Sequence, residues 1–177
     1  SVSYARPEST MAVDLRCDDP RHFDAMLPQC LLAAAAPARL LLTNRTGEWI
    51  ARVGYYGRAT ACAAQLRSLE TLLDGHESIH IIASGNRTLD EDLTVLSARR
   101  AWRREMPTLV KIVVPPAFTG AACSTLTDAV SNRVQLNITA LPVHGCLFAG
   151  GTLDADTAAL LDKTIADLVA TRGGFRV

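Results

Sequence analysis

Apolar positions along this chain follow two rhythms, and each change of rhythm marks a new element. Residues 1–18 carry mixed polarity with Pro7 and predict an arm or edge strand around Ser9–Leu15. Pro20 suits the first turn of a helix with Asp18 or Asp19 as N-cap. Phe23, Met26, Leu27 and Leu31 continue that helix at helical spacing, with a kink or interruption at Pro28. Ala38–Thr43 and Glu48–Tyr55 are β-rich runs on either side of Asn44-Arg45-Thr46-Gly47, the pattern of a hairpin. In its second strand Trp49, Ala51 and Val53 share one face, and Ile50 and Arg52 the other.

The helical rhythm returns at Cys62, Leu66, Leu69 and Leu73 and is closed by Gly75. Ser78–Ala83 predicts a strand, Ser84-Gly85-Asn86 a turn, and Thr88 with Glu91 a capping box opening a helix that Pro107 stops. Leu109–Val114, rich in β-branched residues, reads as a strand buried on both faces. A helix over about 121–132, strands at Val134–Leu141 and Gly145–Ala149, and a helix from Asp154 to Thr171 complete the chain. Strands separated by helices imply right-handed crossovers. The expectation is a single α/β domain, 1–177, with three layers: a mostly parallel sheet, helices on both faces, and the N-terminal antiparallel hairpin at one edge. Ser78–Ala83 and Leu109–Val114 become interior neighbours in it.

Charge narrows the partners. Eighteen Lys and Arg balance eighteen Asp and Glu, so no concentrated positive field exists to grip nucleic-acid backbone or an anionic membrane. No apolar run is long enough to span a bilayer. Cys17, Cys30, Cys62, Cys123 and Cys146 show no CxxC spacing, and His22, His76, His80 and His144 no metal-ligand spacing, so no metal is expected. Neither GxGxxG nor GxxxxGK[ST] occurs, and no cofactor is expected. Dispersed thiols favour an intracellular protein. Three N-x-T sequons, at Asn44, Asn86 and Asn137, keep a secreted glycoprotein open, although Asn137 falls in an expected strand. The start at Ser1 suggests a processed N-terminus.

A parallel sheet would gather ligands at its strand C-terminal ends. Those loops hold Ser84, Gly85 and Asn86, then Pro115–Gly120, then Pro142–Gly145, and helix N-termini there could meet an anion. His144 and Cys146, two residues apart in the sequence, could share a strand face as base and nucleophile, and Cys123 near a helix start is a second candidate thiol. Buried packing is the more ordinary reading of both cysteines. Arg99, Arg100 and Arg103, with Arg104 and Trp102, form the basic cluster, and Tyr55 and Tyr56 with Arg52 and Arg58 a candidate contact surface. Asp90, Glu91 and Asp92 suit a helix's first turn without any ligand.

The run Leu42-Thr43-Asn44-Arg45-Thr46-Gly47, a following helix, and Ile81-Ile82-Ala83-Ser84-Gly85 resemble the central part of phosphosulfolactate phosphatases. The hairpin–helix–strand order also resembles ribonuclease-H-like folds. The acidic catalytic motif of the first and the metal-binding carboxylates of the second have no counterpart in this sequence, so no residue roles carry over. The favoured function is a non-catalytic interaction module, working with a protein partner or as a homo-oligomer. The alternative is a small enzyme of cysteine-dependent or phosphate-ester chemistry.

Overall fold

Leu15, Ala51, Leu42, Ala140, Leu147 and Ile112 stand in one row, each opposite the next across a strand boundary. All six are fully buried and form the spine of the core; burying each Leu or Ile contributes about 1.5–3 kcal/mol. The computed structural model describes residues 9–32, 35–44, 47–86 and 107–176. Their strands are β1 (Ser9–Cys17), β2 (Arg39–Thr43), β3 (Trp49–Gly57), β4 (Ile79–Asn86), β5 (Thr108–Val113), β6 (Asn137–Leu141), β7 (Cys146–Gly151) and β8 (Phe175–Arg176). The helices are α1 (Arg21–Leu32), α2 (Ala59–Leu73), α3 (Thr119–Val130) and α4 (Ala155–Arg172).

These strands make one eight-stranded sheet in the order β4-β1-β3-β2-β6-β7-β5-β8. Every neighbouring pair is antiparallel, which overturns the expected parallel sheet. The reason lies in what fills the gap under each crossover. β1 and β2 are both antiparallel to β3, hence parallel to each other, and α1 does carry the chain between parallel strands. The hairpin return, β3, then slots between them. The same happens where α2 links β3 to β4 around β1. Among the described residues the elements thus run β-α-β-β-α-β twice over. The order β4-β1-β3-β2 in the first half corresponds to β8-β5-β7-β6 in the second, the halves meeting at β2 and β6. Val13, Val53 and Leu40 in one half answer to Val110, Ala149 and Ile138 in the other.

Other expectations change with this topology. Five strands separate β4 from β5, so Ser78–Ala83 and Leu109–Val114 are not neighbours. The β2–β3 hairpin sits at the centre, not at an edge, and β1 is an interior strand, not an arm. β5 alternates in burial, with Val110 and Ile112 in the core, so it is not buried on both faces. Ser84, Gly85 and Asn86 belong to β4, paired with β1, where a turn was expected. All four described helices pack on the face carrying the buried row, giving two layers among the described residues in place of three. The helix expected over 88–106 lies outside the described residues.

The opposite face carries the row His80, Arg16, Ile50, Thr43, Thr139, Phe148 and Lys111. The predicted split of β3, with Trp49, Ala51 and Val53 facing the core and Ile50 and Arg52 facing away, agrees with its burial. The two edges differ: β4 has eight residues with Ile81 and Ile82 exposed, and β8 has two.

The two halves share only two residue pairs between β2 and β6, and Asn44 extends that seam. Its side-chain oxygen accepts the Ile138 N–H at 2.7 Å, and its own N–H donates to the Ile138 carbonyl at 3.3 Å. Asn44 is buried, leaving no room for a glycan on it in the folded protein. Asn44→Ala strands the Ile138 N–H and is expected to remove about 1–3 kcal/mol. Urea unfolding with amide exchange at Ile138 checks this; unchanged stability and exchange would refute it.

Candidate functional site

Arg52 and Asp14 stand opposite each other on the sheet face away from the described helices. Arg52 Nε and Nη2 donate to the two Asp14 carboxylate oxygens at 2.6 and 2.7 Å. This is a bidentate pair with both side chains largely removed from water, a geometry that fixes direction as well as charge. The placement of Arg52 on the strand face opposite Ala51 was already readable, but its pairing with Asp14 required the β1–β3 register. Thr139, Phe148 and Leu41 on this face are buried, whereas Arg16 and His80 at its β1–β4 end are exposed. Around the corner, Arg16, Cys17, Asp18, Gly47, Glu48 and Trp49 line a cleft of about 340 Å³.

The thiols expected to react are placed unevenly. Cys123 is fully buried in α3, and burial, then the nearby Asp24 and Cys17, pushes its pKa well up. His144 is exposed at the end of a short 3-10 turn, Pro142–His144, and Cys146 is half-buried at the start of β7. Gly145 between them has φ 59°, so the two do not stand on one strand. Cys146 faces the side away from the core row, beside Leu141 and Val113. With no parallel sheet there is no rim of strand C-terminal ends to gather these residues.

The tyrosines divide as neighbours on a strand must. Tyr55 points into the core, its hydroxyl donating to the Ala35 carbonyl at 3.1 Å, and burial raises its pKa. Tyr56 lies on the other face, half-buried. Ser84 is exposed and Gly85 half-buried on the edge strand. Arg99, Arg100 and Arg103 lie outside the described residues. Among the described residues no group of three or more His, Cys, Asp or Glu is arranged to hold a metal.

Helix N-termini were the other expected anion sites, and this chain fills three of them with its own carboxylates. Asp19 accepts the Arg21 N–H at 2.9 Å at the start of α1. Asp24, projecting from α1, accepts the Gly120 and Ala121 N–H groups at 2.7 and 2.8 Å at the start of α3. Asp154 accepts the Thr157 N–H at 2.7 Å and caps α4. Burial raises the Asp24 pKa despite those two donors, whereas the Arg21 side chain and Thr157 lower those of Asp19 and Asp154. Sequence reading anticipated Asp19 as a cap but missed Asp24, which acts across 96 positions of chain.

No family profile and no curated protein matches the sequence. Solved structures do share its fold. An alkyldihydroxyacetonephosphate synthase matches over 97% of this chain and 41% of its own, at 13% identity and a TM-score of 0.60. The xylooligosaccharide oxidase from Myceliophthora thermophila C1, in complex with xylobiose, matches over 92% and 44%, at 12% identity and 0.58. The glucooligosaccharide oxidase from Acremonium strictum, whose FAD is 6-S-cysteinyl and 8α-N1-histidyl, matches over 92% and 44%, at 9% identity and 0.57. At such identities the likeness is one of fold, and it replaces the resemblances read from the sequence as the guide to architecture. This chain spans about 41–44% of the length of these three neighbours.

Proposed function

We propose that this chain is a non-catalytic interaction module, one part of a larger assembly built on the plan of the FAD-linked oxidases. The observation that carries the reading is the asymmetry of coverage: nearly all of this chain matches less than half of each neighbour. A fold found there as part of a larger chain is read here as a part that works in company. The β1–β4 end of the outward sheet face, where Arg16 and His80 are exposed beside Ile81 and Ile82 of the edge strand, is the contact surface in this reading. The proposed partner is a protein or a second copy; no helix among the described residues is long and apolar enough to cross a membrane.

Sedimentation over a wide concentration range tests the proposal. The expected result is a mass above that of the monomer, reduced by Arg16→Glu combined with Ile82→Glu, with the circular dichroism unchanged. A chain that stays monomeric throughout, and alone saturably binds or turns over a small metabolite, overturns it.

A further inference from the structure

We infer that a second copy of this chain pairs its β4 antiparallel with the β4 of the first, about a twofold axis. The inference rests on the interaction-module reading and names the partner which that reading leaves open. β4 is an edge of the sheet, joined only to β1 among the described residues. A strand edge presents a row of unpaired N–H and C=O groups, which proteins guard with charges, proline, a short strand or a bulge. The two edges of this sheet are guarded unequally. β8 stops after two residues and carries Arg176, ion-paired to Asp162 at 2.8 Å. β4 runs for eight residues without proline, lysine, arginine or an acid. Its one guarding device is an irregularity at Ile82. His80, Ile81, Ile82, Ala83 and Ser84 are all exposed, Ile81 at 41% and Ile82 at 48%.

The faces of β4 select the register. Ile79, Ile81 and Ser84 lie opposite Cys17, Leu15 and Val13 on the core face, whereas His80 and Ala83 lie opposite Arg16 and Asp14 on the outward face. The register shift between Asp14 and Leu15 leaves Ile82 with no partner on β1, and there the alternation breaks. Residues directly opposite across two strands must share a face. A twofold axis between Ile81 and Ile82 meets that condition despite the break. Ile79 then faces the partner's Ser84, and His80 the partner's Ala83. Each Ile81 stands opposite an Ile82, so four isoleucines meet at the axis and remove from water apolar surface that a single chain leaves exposed. The outward row crossing the axis reads Arg16, His80, Ala83, Asp14, so no like charges are set face to face. Pairing of this kind is closed, and the edges left at either end are the short β8 strands.

The test mixes two variants, His80→Cys and Ala83→Cys, each made with Cys146→Ala so that the half-buried thiol does not compete, and oxidises them under native conditions. In the inferred register the two new thiols stand opposite, with Cα atoms about 5 Å apart, within disulfide reach. Two copies of the same variant are offset by about 10 Å along the strands, beyond that reach. The mixture is expected to give disulfide-linked dimers that neither variant gives alone. In the unsubstituted chain, amide exchange between His80 and Ser84 should slow about tenfold once about nine-tenths of the chains are paired. Linkage that is absent, or equal in the mixture and in either variant alone, overturns the inference, as does exchange that does not change with concentration. A chain that associates without these signals loses the strand pairing and keeps the interaction-module reading, so the two failures are told apart.

Discussion

Raising the pH from 9 to 11 is expected to strip about 4 kcal/mol from the stability of this protein, a large share of the whole margin of many small proteins. Burial holds the Cys17 thiol up at about 12, with Asp19 and Asp18 adding to the effect, and holds Cys30 at about 11. Unfolded, both return to the ordinary value of 9.0. Below pH 9 each thiol is neutral in both states and nothing is lost. Above it the unfolded chain releases protons that the folded chain keeps, so stability falls by up to about 1.4 kcal/mol per pH unit for each group. The decline continues until the folded thiols ionise, near pH 11 and then 12. Cys123 and Tyr55, also raised by burial, act in the same direction. Urea midpoints at pH 8, 9, 10 and 11 should fall steadily, and Cys17→Ala with Cys30→Ala should flatten the slope. A midpoint that does not move between pH 9 and 11 would sink this account.

Gly145→Ala is the second large effect. Gly145 lies between the Pro142–His144 turn and β7 with φ 59°, and its carbonyl accepts the Val114 N–H at 2.8 Å. An added Cβ would fall 1.8 Å from the Val114 carbonyl oxygen, which is backbone and cannot swing aside. The left-handed conformation alone costs a non-glycine residue about 1–2 kcal/mol, and forced overpacking about 1–3 kcal/mol more. A loss of about 2–5 kcal/mol is therefore expected by denaturant unfolding. Gly173→Ala separates the two contributions: its φ is 74°, yet nothing lies within 4 Å of the added carbon. It should show the conformational cost alone. Equal losses at the two positions would refute the steric explanation.

Most elements were legible in the sequence because their apolar spacing is local. The helical rhythm at Cys62, Leu66, Leu69 and Leu73 needs no knowledge of the rest of the chain, and neither does the alternation through Trp49, Ala51 and Val53. Sheet order was not legible, because it depends on which strand slips between the two ends of a crossover. The rule that a strand–helix–strand unit joins parallel strands holds here for β1 and β2; what failed was the further step that they must touch. That error carried the candidate site with it. His144, Cys146 and the Ser84–Asn86 stretch were grouped at one rim that an antiparallel sheet does not have. Asp24 and the Asp14–Arg52 pair stayed hidden for the complementary reason, since each joins positions far apart in the chain.

The meeting of β2 with β6 bears on how such a chain can be filled at its middle. Two identical halves joined about a twofold would be forced to set like against like there, leucine on leucine or alanine on alanine, too crowded or too empty. A single polypeptide carrying both halves is released from that constraint. Leu42 facing Ala140 divides the space unequally, large beside small. Both are completely shielded from water, as a well-filled centre requires. Divergence between the halves is thus what lets their shared midpoint close.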